Sequence, residues 1–115
     1  MNTYCKIYKL KKDRVKDYIE CHANISEEQV RALAEAGAEN LEIYMWGEYC
    51  IITYECIEFE RFLENLSRSE QNAKWQRIVG PMFEETPVLE GRDKIKPLKK
   101  IFSLKQAYKE LKGGR

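Results

Sequence analysis

The sequence predicts an α+β fold, and three features carry that prediction: two stretches of alternating apolar and polar residues, a Gly-led hairpin turn between strands, and helical apolar stripes that separate the strand runs. Residues 3–10 are rich in β-formers and end at the polar Lys11-Lys12-Asp13, so they read as a first strand. A helix follows, with Val15, Tyr18, Ile19 and His22 spaced three and four apart on its inner face. Ser26-Glu27-Glu28-Gln29 has the form of a capping box, flanked by Ile25 and Val30 as a hydrophobic staple. The helix is therefore expected to break near Asn24 and restart at Ser26, to carry Val30, Leu33 and Ala34 in its second half, and to stop at Gly37.

Leu41, Ile43 and Met45 then alternate with Glu42, Tyr44 and Trp46, and Gly47-Glu48 fits a two-residue hairpin turn leading into a partner strand over residues 49–56. Phe59, Phe62, Leu63 and Leu66 mark the inner stripe of the next helix. Ser69 is placed to cap another, running past Trp75 and Ile78 to Gly80-Pro81. Thr86-Pro87 through Pro97 reads as a polar connection, Lys100–Leu104 as a last short strand, Gln106–Lys112 as a loosely held helix, and Gly113-Gly114-Arg115 as a disordered end. Strand–helix–strand–strand–helix–strand is the ferredoxin-like βαββαβ order, an antiparallel sheet with its helices on one face. The opposite face would carry Glu42, Tyr44 and Trp46, with Tyr49 and Tyr54 beside them. So large a half-apolar surface points to a homodimer packed through the sheet face.

At 115 residues the chain is one domain, long enough to bury a core without staples. We divide it into residues 1–104 and a basic tail, 105–115. With 43% hydrophobic and 34% charged residues it has the composition of a soluble globular protein. No apolar run approaches the ~20 residues of a membrane span, and Met1–Lys6 does not begin a signal peptide. The four cysteines make no C-x-x-C pair and only one histidine is present, so no metal site is expected; a cytoplasmic protein with reduced thiols is. Basic residues are concentrated from Arg92 onward, but no aromatic interleaving accompanies them, so no nucleic acid is expected as a partner, and no membrane.

His22 is the residue whose unperturbed pKa, about 6.5, suits proton transfer at cellular pH. Tyr18, four residues earlier, shares its helix face. On periodicity alone, such a histidine is more often a hydrogen-bonded core residue.

The chain resembles the L-rhamnose mutarotases and their relatives over residues 4 to about 104. The resemblance is carried by Tyr18-x-x-x-His22, by Gly37-Ala38-x-Asn40-x-x-Ile43-Tyr44, and by the helix from Trp75 to Met82. It implies a dimeric α/β barrel of ferredoxin-like domains that interconverts the α and β anomers of a 6-deoxyhexose, L-rhamnose or a relative such as L-fucose. It implies no cofactor. By the resemblance His22 is the proton donor, Tyr18 binds the sugar, and Trp75 stacks on the pyranose. Lys74 and Leu41 stand where the family has a tryptophan and a tyrosine, and Glu28 with nearby polar residues replaces a tryptophan–proline pair. Asn40 and Lys74 are candidate partners for sugar hydroxyls, and Glu55 is the candidate base. Two other classes compete with this reading: a small monooxygenase on the same dimeric barrel, and a non-enzymatic interaction module.

Overall fold

The computed structural model describes residues 1–84 and 96–113. Three strands, β1 (Asn2–Lys9), β2 (Asn40–Trp46) and β3 (Tyr49–Cys56), form an antiparallel sheet in the order β1-β3-β2. Its register pairs Tyr4 with Tyr54 and Ile43 with Ile52. Trp46 pairs with Tyr49 across a two-residue turn, in which Gly47 takes φ +61° and Glu48 stays at negative φ. That is the combination of a type II′ turn, whose twist matches the strands it joins.

Cys50, Ile52, Tyr54 and Cys56 are buried on one side of β3, under the helices. α1 (Val15–Ala23), α2 (Glu27–Ala36), α3 (Phe59–Ser67) and α4 (Glu70–Val79) close over that side, and Tyr18, Ala36, Phe59, Phe62 and Val79 join the same core. The expected break is present. α1 ends at Ala23, Asn24 leaves helical geometry, and the Ser26 hydroxyl accepts from the Gln29 backbone N–H at 3.1 Å to start α2. Gly37, at φ +123°, ends α2. Ser69 caps α4 in the same way as Ser26 caps α2, accepting from the Asn72 backbone N–H at 3.1 Å.

α2 buries Gln29 and Ala36 and presents Val30, Leu33 and Ala34 to the space under the helices. Two expectations are corrected. Tyr54 lies on the helix side, its ring 4.8 Å from Phe59, and does not belong to the outer face. Lys100–Leu104 forms no strand: Ser103 accepts from the Gln106 N–H at 3.3 Å and draws Leu104 into α5 (Leu104–Gly113). A local cap has overridden a short β-like run. The outer edge of β1 is still engaged at both ends, by Leu98 N–H donating to Thr3 at 2.7 Å and by Glu84 N–H donating to Lys9 at 2.8 Å. The expected connection from Thr86 falls mostly outside the described residues, as do Gly114 and Arg115.

Candidate active site

The break between α1 and α2 leaves His22 on the last turn of its helix, where its side chain faces a space between the helices and the sheet. A cavity of about 490 Å³ lies there, within the ~300–1,000 Å³ usual for small-ligand sites. Tyr18 and His22 of α1, Gln29 of α2, Asn72 and Trp75 of α4 and Asn40 at the start of β2 all contribute to its wall. The rest of the lining is largely aliphatic and aromatic, and no described lining residue is an Asp, Glu, Lys or Arg.

His22 is held by one short bond. Its Nδ1 lies 2.8 Å from the backbone carbonyl oxygen of Tyr18. A carbonyl can only accept, so Nδ1 carries a proton and the neutral ring keeps its lone pair on Nε2. The rings of Tyr18 and Trp75 fix the imidazole from two sides, at centroid distances of 4.4 and 5.0 Å, the second nearly edge to face.

Tyr18 therefore reaches His22 through its backbone and its ring. Its hydroxyl is taken on the sheet side, where it accepts from the fully buried Cys50 thiol at 3.2 Å. Burial pushes the Tyr18 phenol well above its usual range, and the Cys50 contact adds to this. The Cys50 and Cys21 thiols are likewise raised, chiefly by burial, and stay protonated near neutral pH.

The structure brings His22, Tyr18, Trp75 and Asn40 to one cavity. Lys74 is not among them. It is exposed and lines a shallow groove with Asp17 and Glu20. Glu55 alternates away from the buried Tyr54 and Cys56, is absent from the cavity wall, and accepts from Asn40 Nδ2 at 3.5 Å.

Sequence reasoning passed over Gln29 and Asn72. The Gln29 side chain is fully buried, its Nε2 donates to Asn72 Oδ1 at 3.2 Å, and its Oε1 has no partner among the described residues. A buried acceptor left unpaired costs about 1–3 kcal/mol. The available signal was the doubled cap, Ser26-Glu-Glu-Gln29 and Ser69-Glu-Gln-Asn72, with each amide at the third helical position. In a full capping box Gln29 would turn back to the Ser26 N–H; here it crosses to α4 instead.

Among the described residues no group of three or more His, Cys, Asp or Glu could hold a metal ion, and no helix is long and apolar enough to cross a membrane.

Fold and site together define a ferredoxin-like α+β domain with a histidine-bearing cavity under its helices. The sequence model of the L-rhamnose mutarotase family matches residues 3–104, and the chain belongs to that family. No curated protein sequence matches it. Among solved structures it is similar to the L-rhamnose mutarotase of Formosa agariphila (TM-score 0.65, 17% identity, covering 90% of this chain and 99% of that one). It is also similar to a putative antibiotic biosynthesis monooxygenase of Bordetella bronchiseptica (TM-score 0.63, 14% identity, 89% and 100%). A third likeness is to a putative monooxygenase of the same description from Nitrosomonas europaea (TM-score 0.57, 12% identity, 88% and 92%). At these identities the structural likenesses establish the fold alone.

The Tyr18 phenol gives a pH dependence with a definite sign. An unfolded tyrosine ionises near pH 10, whereas the folded protein holds this proton to higher pH. The stabilisation is complete below about pH 10 and declines above it, by up to about 1.4 kcal/mol per pH unit. Urea unfolding between about pH 9 and 11 should show a steeper loss for the wild type than for Tyr18→Phe. Equal slopes would contradict the burial of the phenol.

Proposed function

We propose that the protein is an aldose mutarotase of the L-rhamnose mutarotase type, acting in the cytoplasm on a 6-deoxyhexose such as L-rhamnose or L-fucose, with His22 as its proton-transfer group. One observation carries this reading: His22 is tied to the Tyr18 carbonyl through Nδ1, leaving Nε2 as the nitrogen available to a cavity that contains no carboxylate among its described lining residues.

Anomer exchange needs a proton removed from the anomeric hydroxyl and one delivered to the ring oxygen as the C1–O5 bond breaks. The open aldehyde then turns about C1–C2 and the steps reverse, so no proton is gained or lost overall. Neutral His22 takes a proton at Nε2, and the imidazolium returns one from the same atom. An imidazole that accepts a proton as the neutral ring and returns it as the imidazolium serves both directions. With no carboxylate among the described lining residues, the scheme gives His22 both roles and Glu55, on the outer face of the sheet, none.

Trp75 offers the sugar's C–H groups an apolar ring. Asn40 at the mouth is a partner for a hydroxyl, and the Tyr18 O–H still has its own proton to donate. Lys74, in the groove on the other side of Trp75, would reach a sugar only at the cavity's edge.

Saturation-transfer NMR on L-rhamnose, L-fucose and related sugars should show accelerated anomer exchange. His22→Ala should reduce it by a factor of about 10² to 10⁴. Exchange at the buffer rate for every sugar would contradict the reading, and so would full activity in the variant.

In the same proposal a second copy of the chain covers the outer sheet face. Tyr44, Trp46 and Tyr49 stand there 53%, 77% and 40% exposed, a contiguous aromatic patch of a kind that usually meets a partner. Analytical ultracentrifugation should find a dimer for the wild type and a monomer for Trp46→Glu. A monomeric wild type would overturn this part of the proposal.

A further inference from the structure

The cavity wall holds a polar feature that proton transfer does not use. Ser26 and Ser69 each accept the backbone N–H of the third residue of the helix they cap, and those third residues are Gln29 and Asn72. The two caps set the amides face to face, and the Gln29 Nε2–H to Asn72 Oδ1 bond joins α2 to α4. That bond uses one donor and one acceptor. Among the described residues Gln29 Oε1 is left buried without a donor, and in that bond the Asn72 amide nitrogen takes no part. Exchanging O and N on both amides reverses the polarity and leaves the same balance, one amide oxygen without a donor and amide hydrogens outside the bond. The rest of the wall is largely apolar, with Gln76 and Asn40 as its other amide side chains. A group that both donates and accepts hydrogen bonds would complete the amide pair, and a hydroxyl is the smallest such group.

We propose that the Gln29–Asn72 amide pair is the specificity determinant of the site and reads one hydroxyl of the bound aldose, so that the substrate class is sugars carrying that hydroxyl and not their deoxy counterparts. This rests on the mutarotase reading above. Its physical basis is the asymmetry of buried hydrogen bonding: a site built around amides is completed by the hydroxyl, and a deoxy carbon leaves both amide groups unpaired. The apolar side chains of the cavity can seat a methyl group or a ring face but give no comparable discrimination.

The test measures anomer exchange for the sugar the wild type handles fastest and for each of its monodeoxy analogues. The wild type should disfavour one analogue by about tenfold or more in kcat/KM. In Gln29→Leu, exchange of the parent sugar should fall by about tenfold, and its advantage over that analogue should shrink to about threefold or less. Asn72→Ala, which alters a half-buried residue, reads the same ratio if Gln29→Leu does not fold by circular dichroism. If Gln29 only ties two helices together, both variants slow every sugar by one common factor and the ratio holds. That result overturns the proposal, as does a wild type indifferent to every deoxygenation. A wild type that accelerates no sugar at all overturns the mutarotase reading first, and this inference with it.

Discussion

The geometry of the site depends on the hydrogen bond between His22 Nδ1 and the Tyr18 carbonyl. That bond decides which imidazole nitrogen carries the proton at rest and which one is left for a ligand. It forms because α1 stops at Ala23 and the chain restarts under the Ser26 cap, so His22 stands on a terminal turn instead of inside a continuous helix pair. The Tyr18 ring, buried against Cys50 and Phe83, anchors the other end of the bond in the core. Sheet, helix break and ring packing thus converge on a single nitrogen.

Features written in local sequence were legible. The Ser26 and Ser69 caps, the Gly37 stop and the Gly47-Glu48 turn each depend on a few adjacent residues, and each appears where the sequence put it. The pairing of Tyr18 with His22 followed from helical spacing, although the contacts are ring and carbonyl, with the phenol turned to Cys50. What depends on rotation about an element axis was not legible. α2 buries the Gln29 amide, whose partner lies 43 residues away on α4, and no single-helix pattern encodes that. The same holds for Glu55 and Lys74. Strand parity puts Glu55 outside, and helix rotation sends Lys74 to the groove behind Trp75. Lys100–Leu104 had the composition of a strand and lost that role to the Ser103 cap.

The fold by itself does not assign a chemistry. Comparable TM-scores link this chain to a mutarotase and to proteins described as putative monooxygenases, so one scaffold hosts different reactions. The family match over residues 3–104 narrows the choice, and the cavity's side chains give it physical content: a single imidazole, an indole beside it, and a buried amide pair opposite aliphatic walls. Gln29 and Asn72 add a hydrogen-bonded amide pair to the cavity wall, and Leu41 adds to its apolar part.

The most direct test of the account is a long-range ¹H–¹⁵N spectrum of the single histidine, recorded at a pH where the ring is neutral, with and without a bound sugar. The account predicts a protonated Nδ1 in both spectra and a sugar-dependent shift confined to Nε2. A ring protonated on Nε2 in the free protein would contradict it, as would an Nε2 resonance that no sugar moves.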